Sequence, residues 1–302
     1  VTVSKTELET PYFSANFFNT SPTVAPSSAL RTFSLVPISS LKRAKTLIIT
    51  FSKFVASLRI YLHKKIFKQC DSKKRRGMKM PYAYIGRLLY VDLTTGAQRI
   101  EPLNLDYARK FIGGKGLAAR YLFDLLKPGT DPLSPENVFI IMTGPLTGTL
   151  APASAKYCIV TKSPLTNIWL DTHAGGYFGP ELKYAGLDGV VITGRAKEPV
   201  YLYIEDGTAQ IKDAKKLWGK TTSETDTAIK EELGDKMAIV MCIGPAGEKL
   251  VKIANISSCY RQHGRGGAGA VMGSKNLKAV AVRGSGGVTV AYPEEFLKAC
   301  QE

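Results

Sequence analysis

Short apolar runs bounded by glycine, proline or charge organise the chain from residue 84 onward. Tyr84–Leu93 alternates well enough for a strand, Thr94-Thr-Gly96 marks a turn, and Ala97–Pro102 returns as a second strand, which predicts a hairpin. Asp106–Leu126 switches to helical spacing, with Tyr107, Phe111, Leu117, Tyr121 and Leu125 in register, and Gly113-Gly-Lys-Gly116 divides it into two pieces. Val138–Met142 is an unbroken apolar run, as in a strand buried on both faces, and leads into Gly144-Pro-Leu-Thr-Gly148. Lys156–Thr161 reads as a strand. Asp171–Gly186 reads as a glycine turn opening a short helix that stops at Gly186. Val190–Thr193 and Val200–Ile204 are strands, the second with Gln210–Lys212 as its partner. Thr221–Leu233 is a helix capped by Ser223 or Thr222. Ala238–Cys242 is a second buried run, entering Gly244-Pro-Ala-Gly247; Val251–Ile256 and Lys278–Arg283 are further strands, and Pro293–Glu302 begins a helix.

The order of these elements repeats. Val138–Gly148 matches Ala238–Gly247 as buried strand, Gly-Pro, then Gly. Each is followed by a strand and a glycine loop that opens a helix, and each helix feeds an apolar strand, Val190–Thr193 or Ala279–Val282. In this alignment Leu182-Lys183 corresponds to Leu277-Lys278. The pattern predicts an internal duplication and an α+β fold: a duplicated, β-rich domain with short helices.

Candidate chemistry concentrates in Arg261–Lys278, where five glycines stand among Arg261, Arg265, Lys275 and Lys278. Glycine lets backbone N–H groups approach a ligand closely, and consecutive N–H groups form concave anion sites. Cations beside them add charge-assisted hydrogen bonds. The residues alone fit a cradle for a phosphate-bearing ligand, and they also fit a solvated surface hairpin. If the repeat brings Asp171–Gly179 against this loop, the cradle is two-sided. Gly264-Arg-Gly-Gly-Ala-Gly269 satisfies the dinucleotide pattern, but no apolar strand precedes it and the next acid is Glu294, so its context is wrong for that fold. There is no Walker A sequence, no H-E-x-x-H and no C-x-x-C, and Cys70, Cys158, Cys242, Cys259 and Cys300 are dispersed. No paired carboxylates and no catalytic triad stand out.

Composition adds two limits. With 44% hydrophobic residues, 302 residues can bury a sizeable core. The net charge of +16 is uneven: residues 1–77 hold 14 of the 41 Lys/Arg and 3 of the 25 Asp/Glu, leaving +5 to the other 225. That assigns no nucleic-acid role to the remainder, and no apolar run is long enough to span a membrane. Cysteine usage fits a reducing cytoplasm. Residues 1–40 read as disordered, and 41–69 as a basic amphipathic helix suited to a membrane surface or a transit peptide. A third reading is translated upstream sequence: if Arg75 and Arg76 are both encoded by AGG, the message carries a ribosome-binding sequence just before Met78 and Met80. A basic membrane- or nucleic-acid-associated protein driven by residues 41–77 is a competing hypothesis for the whole chain.

Residues 82–302 resemble the N-terminal domain of the tungsten-dependent aldehyde:ferredoxin oxidoreductases. The resemblance rests on Ile85–Gly96 (IGRLLYVDLTTG), Asp131–Asn137 (DPLSPEN), Thr143–Gly148 (TGPLTG), Val160–Thr166 (VTKSPLT), Gly175–Gly179 with Glu181–Lys183, Ile243–Glu248 (IGPAGE) and Gly264–Ala279 (GRGGAGAVMGSKNLKA). It implies a tungsten bis-molybdopterin cofactor (tungstopterin) with a magnesium bridging its phosphates, a 4Fe–4S cluster in the full-length enzyme, and oxidation of an aldehyde to a carboxylate. Ferredoxin is the implied electron acceptor, and a cytoplasmic homodimer the implied assembly. By position, the resemblance makes Lys156 a pterin contact in place of a common arginine. It gives His173 and Gln262 backbone carbonyls to the magnesium, and makes Gly175, Arg261, Gly264 and Arg265 cofactor contacts. Residues 1–80 take no part, 81–290 form the domain, and 291–302 begin the next one. The cluster cysteines and catalytic residues of the family lie in later domains, so this chain is expected to be inactive alone. A stand-alone pterin- or phosphate-binding module is the alternative.

Overall fold

The structure, a computed structural model, describes residues 82–302. The basic helix read over 41–69 and the stretch before it lie outside the described residues. The expected hairpin is β1 (Arg87–Asp92) with β2 (Gln98–Pro102). The divided helix is α1 (Leu105–Phe111) and α2 (Gly114–Leu125), and the Asn104 side chain caps α1 by accepting from the N–H groups of Asp106 and Tyr107. β3 (Phe139–Thr143), β4 (Tyr157–Lys162), β5 (Trp169–Ala174), α3 (Phe178–Tyr184) and β6 (Gly189–Thr193) complete the first half. The second half holds β7 (Val200–Glu205), β8 (Thr208–Asp213), α4 (Thr222–Leu233), β9 (Ile239–Cys242), α5 (Pro245–Glu248), β10 (Ile256–Ser258), β11 (Arg261–His263), α6 (Ala268–Ser274) and β12 (Leu277–Arg283). The helix α7 (Pro293–Gln301) follows and buries none of its residues.

Both halves have one topology. The first sheet runs β2-β1-β6-β3-β4-β5, and the second, read from its other edge, β8-β7-β12-β9-β10-β11. Strand for strand these are the same order, and each sheet has a single parallel pair, β1 with β6 and β7 with β12. The fold is α+β and duplicated, as the repeat predicts.

Alternation explains why the central strands read as continuous apolar runs. In the first sheet Leu89, Val91, Phe139, Ile141, Tyr157 and Ile159 point inward and meet Leu202, Ile204, Met241, Val280 and Val282 of the second sheet, with α3 and α6 in the same core. The intervening residues, among them Leu88, Tyr90, Ile140, Met142 and Val160, are covered by α1 and α2. Tyr201, Tyr203, Val240 and Ala281 are covered on the far side by α4. Each sheet is thus buried on both faces.

Several expectations need correction. The repeat aligns differently at its end: Gly189 enters opposite Met142 and Ala279 opposite Cys242. The Thr143 N–H donates to the Asp188 carbonyl at 2.9 Å just as the Ile243 N–H donates to that of Lys278 at 3.1 Å. Asp188, not Lys183, is therefore the counterpart of Lys278, because Lys183 lies on a helix and Lys278 on a strand. Of the strand read over 251–256 only Ile256 is in a strand, the first residue of the hairpin β10–β11, and the end of β5 occupies residues read as a turn. Thr221 caps α4 in a capping box with Glu224, displacing Ser223 and Thr222 from that role. Residues Pro245–Glu248, within and after the Gly-Pro-Ala-Gly motif, form a short helix.

Three lysines are fully buried, and each joins separate elements. The Lys183 ammonium donates to Asp188 at 2.6 Å and to the Ala83 carbonyl at 2.8 Å. Asp188 also accepts from the N–H groups of Ile85 and Gly86. Lys278 donates to Glu248 and to the Lys220 carbonyl. Lys275 donates to the carbonyls of Pro135, Asn137 and Gly194, at 3.2, 2.6 and 3.0 Å. Burial, with Arg195 nearby, pushes its pKa down to about 8. Lys275 and Lys278 are structural cations inside the fold, so neither flanks a phosphate cradle.

Candidate functional site at the seam of the two sheets

β5 is the outer strand of the first sheet and β11 that of the second. The two come together at a seam made of specific contacts. Buried His263 places Nδ1 3.1 Å from the Thr172 carbonyl oxygen, and the Ser163 hydroxyl donates to the Gly266 carbonyl at 2.7 Å. Gly266 packs against Leu170, where a Cβ would lie 2.3 Å from Leu170 Cδ1, and Gly176 packs against the Arg261 side chain. The two glycine loops, Gly175–Tyr177 after β5 and Gly264–Gly267 after β11, are therefore neighbours, as the repeat predicts. Asp171, Thr172, His173, Gly264 and Arg265 line one open cleft of about 430 Å³.

The candidate residues sit around this cleft. His173 lies on β5 rather than in the loop, exposed, with Nε2 2.8 Å from Asp171 Oδ2; Lys115, from the start of α2, is 3.7 Å from the same oxygen. Lys156 is exposed and directly precedes Tyr157, which pairs with Ala174, so it comes beside Gly175. Arg261, Gln262, Gly264 and Arg265 are exposed along β11 and its loop. The Gln262 side chain accepts from Asn255 Nδ2 at 2.8 Å and donates to Ser257 Oγ at 2.9 Å, so its amide is occupied within the β10–β11 region. What Gln262 can offer a ligand is its main chain.

Two features point to an anion. Lys156, Arg261 and Arg265 have no ion-pair or side-chain hydrogen-bond partner among the described residues, so the seam carries uncompensated positive charge. Gly175 and Gly264 have ordinary φ values, and a Cβ at either would meet no protein atom within 4 Å. Neither backbone conformation nor internal packing requires glycine there, and the open space leaves the main chain accessible to close approach by a ligand. Among the described residues no group of three His, Cys, Asp or Glu side chains could hold a metal. A cation at this site would rest on backbone carbonyls and on the ligand's own donors.

The residues that close the seam carry no signal in the sequence. Thr172 and His263 sit among polar neighbours, and their bond spans 91 positions. Burial pushes the His263 pKa down to about 4, so the ring is neutral. The Thr172 carbonyl can only accept, which places the ring proton on Nδ1. His263 also packs edge-on to Tyr157, with centroids 4.7 Å apart, and Tyr157 stacks on Phe178 at 5.0 Å. Only the fold brings these side chains together.

Fold and seam define a class: a duplicated two-sheet domain with a cationic, glycine-walled cleft where its two halves meet. The chain belongs to the family described as aldehyde ferredoxin oxidoreductase, N-terminal domain, whose model matches residues 88–284. It is 49% identical over 222 residues to a tungsten-containing aldehyde ferredoxin oxidoreductase of Pyrococcus abyssi, and 40% identical over 233 residues to an aliphatic sulfonate oxidoreductase, WOR-like subunit, of Pyrococcus furiosus. Those matches cover 73% and 72% of this chain, and the chain spans 37% of the length of each relative. Among solved structures it is similar to the active-site complex BamBC of benzoyl coenzyme A reductase in complex with 1,5-dienoyl-CoA. That similarity has a TM-score of 0.72 and 42% identity, over 74% of this chain and 34% of the other.

Proposed function

We propose that residues 81–290 are the tungstopterin-binding base of an enzyme that oxidises aldehydes to carboxylates with ferredoxin as electron acceptor. In this reading 291–302 open its next domain, and residues 1–80 take no part. The observation that carries it is the pairing at one seam of two open glycines with three cations that have no side-chain partner among the described residues. Arg261 and Arg265 neutralise phosphate on the β11 side, Arg265 with the two-donor fork that suits a phosphate oxygen pair. Lys156 does so on the β5 side as a point charge. Gly175 and Gly264 admit the ligand against the main chain. The carbonyls of His173 and Gln262 are the magnesium contacts, and the Asp171 and Asn255/Ser257 bonds hold those two side chains aside.

When bound, the cofactor supplies two-electron redox chemistry at a tungsten held by soft sulfur ligands. This domain binds and orients it. In this reading the 4Fe–4S cluster and the ferredoxin contact lie outside this domain, whose four described cysteines are dispersed. The relatives named above carry aldehyde, sulfonate and benzoyl-coenzyme A in their descriptions, and the aldehyde enzymes are the nearest of those three in sequence. We place the protein in the cytoplasm, homodimeric at full length.

The test is tungsten and pterin content of the protein expressed in a tungstopterin-producing host. Arg265→Ala is expected to lower both without changing the fold. Normal loading of that variant refutes the assignment.

A further inference from the structure

We propose that His263 is a positioning residue that sets the separation of the two arms of the cleft. The inference rests on the anion-cradle reading above and goes beyond it, since His263 itself touches no ligand. Its Nδ1–H donates to the Thr172 carbonyl, joining the second sheet's edge to the first at the middle of the site. On one side of that bond stand Gln262 and Gly264, and on the other Asp171 and His173, four residues that border the cleft or are assigned to the cofactor. The ring is fully buried and wedged against Tyr157, which stacks on Phe178 at the first position of α3. One side chain therefore holds both the strand that precedes the first glycine loop and the helix that follows it.

A purely apolar filler would suit this pocket better. Nε2 of His263 is buried with no hydrogen-bond partner among the described residues, an unfavourable arrangement for a ring that only fills space. What a histidine supplies here is the Nδ1 donor at a fixed reach. The other cross-seam bond, from Ser163 to the Gly266 carbonyl, lies one turn further along the second loop and does not fix the cleft's centre.

The experiment compares His263→Leu, His263→Asn and His263→Gln in the full chain, with thermal melting to score folding and calorimetry of inorganic pyrophosphate with magnesium to score the cradle. Asn carries its amide where Nδ1 stands, and Gln carries it where Nε2 stands. Leu and Gln are expected to weaken binding by about threefold to tenfold, the worth of one neutral hydrogen bond, while Asn stays near wild type. Should Leu fail to fold, the Asn–Gln comparison decides alone. Equal binding by all three variants, or equal weakening in Asn and Gln, overturns the positioning role while leaving the cradle intact. No binding by the wild-type chain overturns the cradle reading and this proposal with it.

Discussion

The glycines of the seam separate into two kinds, and alanine substitution should tell them apart. At Gly175 and Gly264 an added methyl meets nothing within 4 Å and the backbone needs no left-handed φ. Alanine there costs the folded state nothing and removes freedom from the unfolded chain, a gain of about 0.4–1 kcal/mol. For a domain of this size 1 kcal/mol is about 2–4 °C in Tm, so either variant should melt at the wild-type temperature or a few degrees above it. Gly273 is the contrast. Its Cβ would lie 2.0 Å from the Gly247 carbonyl oxygen and 2.7 Å from that carbon, where α5 and α6 touch. Backbone cannot yield as a flexible side chain does, so Gly273→Ala should lose about 1–3 kcal/mol or more, several degrees in Tm. Differential scanning fluorimetry reads the stability side, and tungsten and pterin content of protein from a loading host reads the functional side. The expected result is crossed: Gly175→Ala and Gly264→Ala stable but depleted of cofactor, Gly273→Ala unstable. Full loading of the two stable variants refutes the reasoning, as does a large fall in their melting temperature.

The other predictions concern buried charge and backbone strain. Lys183→Met leaves Asp188 buried with only two backbone donors and should cost about 3–5 kcal/mol; adding Asp188→Asn should recover part of it, measured as a double-mutant cycle in urea. Lys275 has its pKa lowered to about 8, so the penalty for burying its charge is present in full below pH 8 and is relieved as pH rises toward the unfolded value. Over that window wild type should gain up to about 3 kcal/mol relative to Lys275→Met; a parallel Tm profile for the two proteins would contradict this. Cys259 and Tyr260 form the two-residue turn of β10–β11 with φ of 46° and 62°, and Tyr260 is 98% exposed. Asn-Gly suits such a turn, so Cys259→Asn with Tyr260→Gly should raise the melting temperature, and no change would show that the strain is absent.

The parts of the fold that sequence pattern revealed are those where alternation and burial coincide. β3, β9 and β12 are covered on both faces, and their apolar runs announce them. β5 does not announce itself, because its inward residues are Leu170, Thr172 and Ala174, two of them small or polar. What ties β5 to the second half is the hydrogen bond that the Thr172 main-chain carbonyl accepts from His263, a partner 91 positions away that no local pattern can supply. The β10–β11 turn was hidden for a related reason, since it uses Cys-Tyr where the backbone prefers Asn-Gly. Charge was misleading in the same region. Lys275 and Lys278 look like the cations of a phosphate loop, yet their ammonium groups hold carbonyls and Glu248 inside the fold. Whether a lysine faces a ligand or the interior depends on the bulge at Leu277–Ala279 and on the loops around it, which are properties of the assembled sheet.

Duplication also explains why the site has two unlike arms. The halves share strand order, but equivalent positions have diverged to opposite charge: Asp188 in one half answers to Lys278 in the other, each with its own buried counter-ion. The same divergence reaches the cleft. On the β5 arm Asp171 lies 2.8 Å from His173 and 3.7 Å from Lys115, whose charge it offsets. On the β11 arm Arg261 and Arg265 stand without a side-chain partner among the described residues. A ligand with two equivalent anionic ends would thus meet unequal halves, one exposed lysine, Lys156, on the β5 side and two arginines on the other, so Coulomb attraction is stronger on the β11 side. Added salt should therefore weaken retention less in Arg265→Ala than in wild type, since screening acts on the charge that the substitution removes.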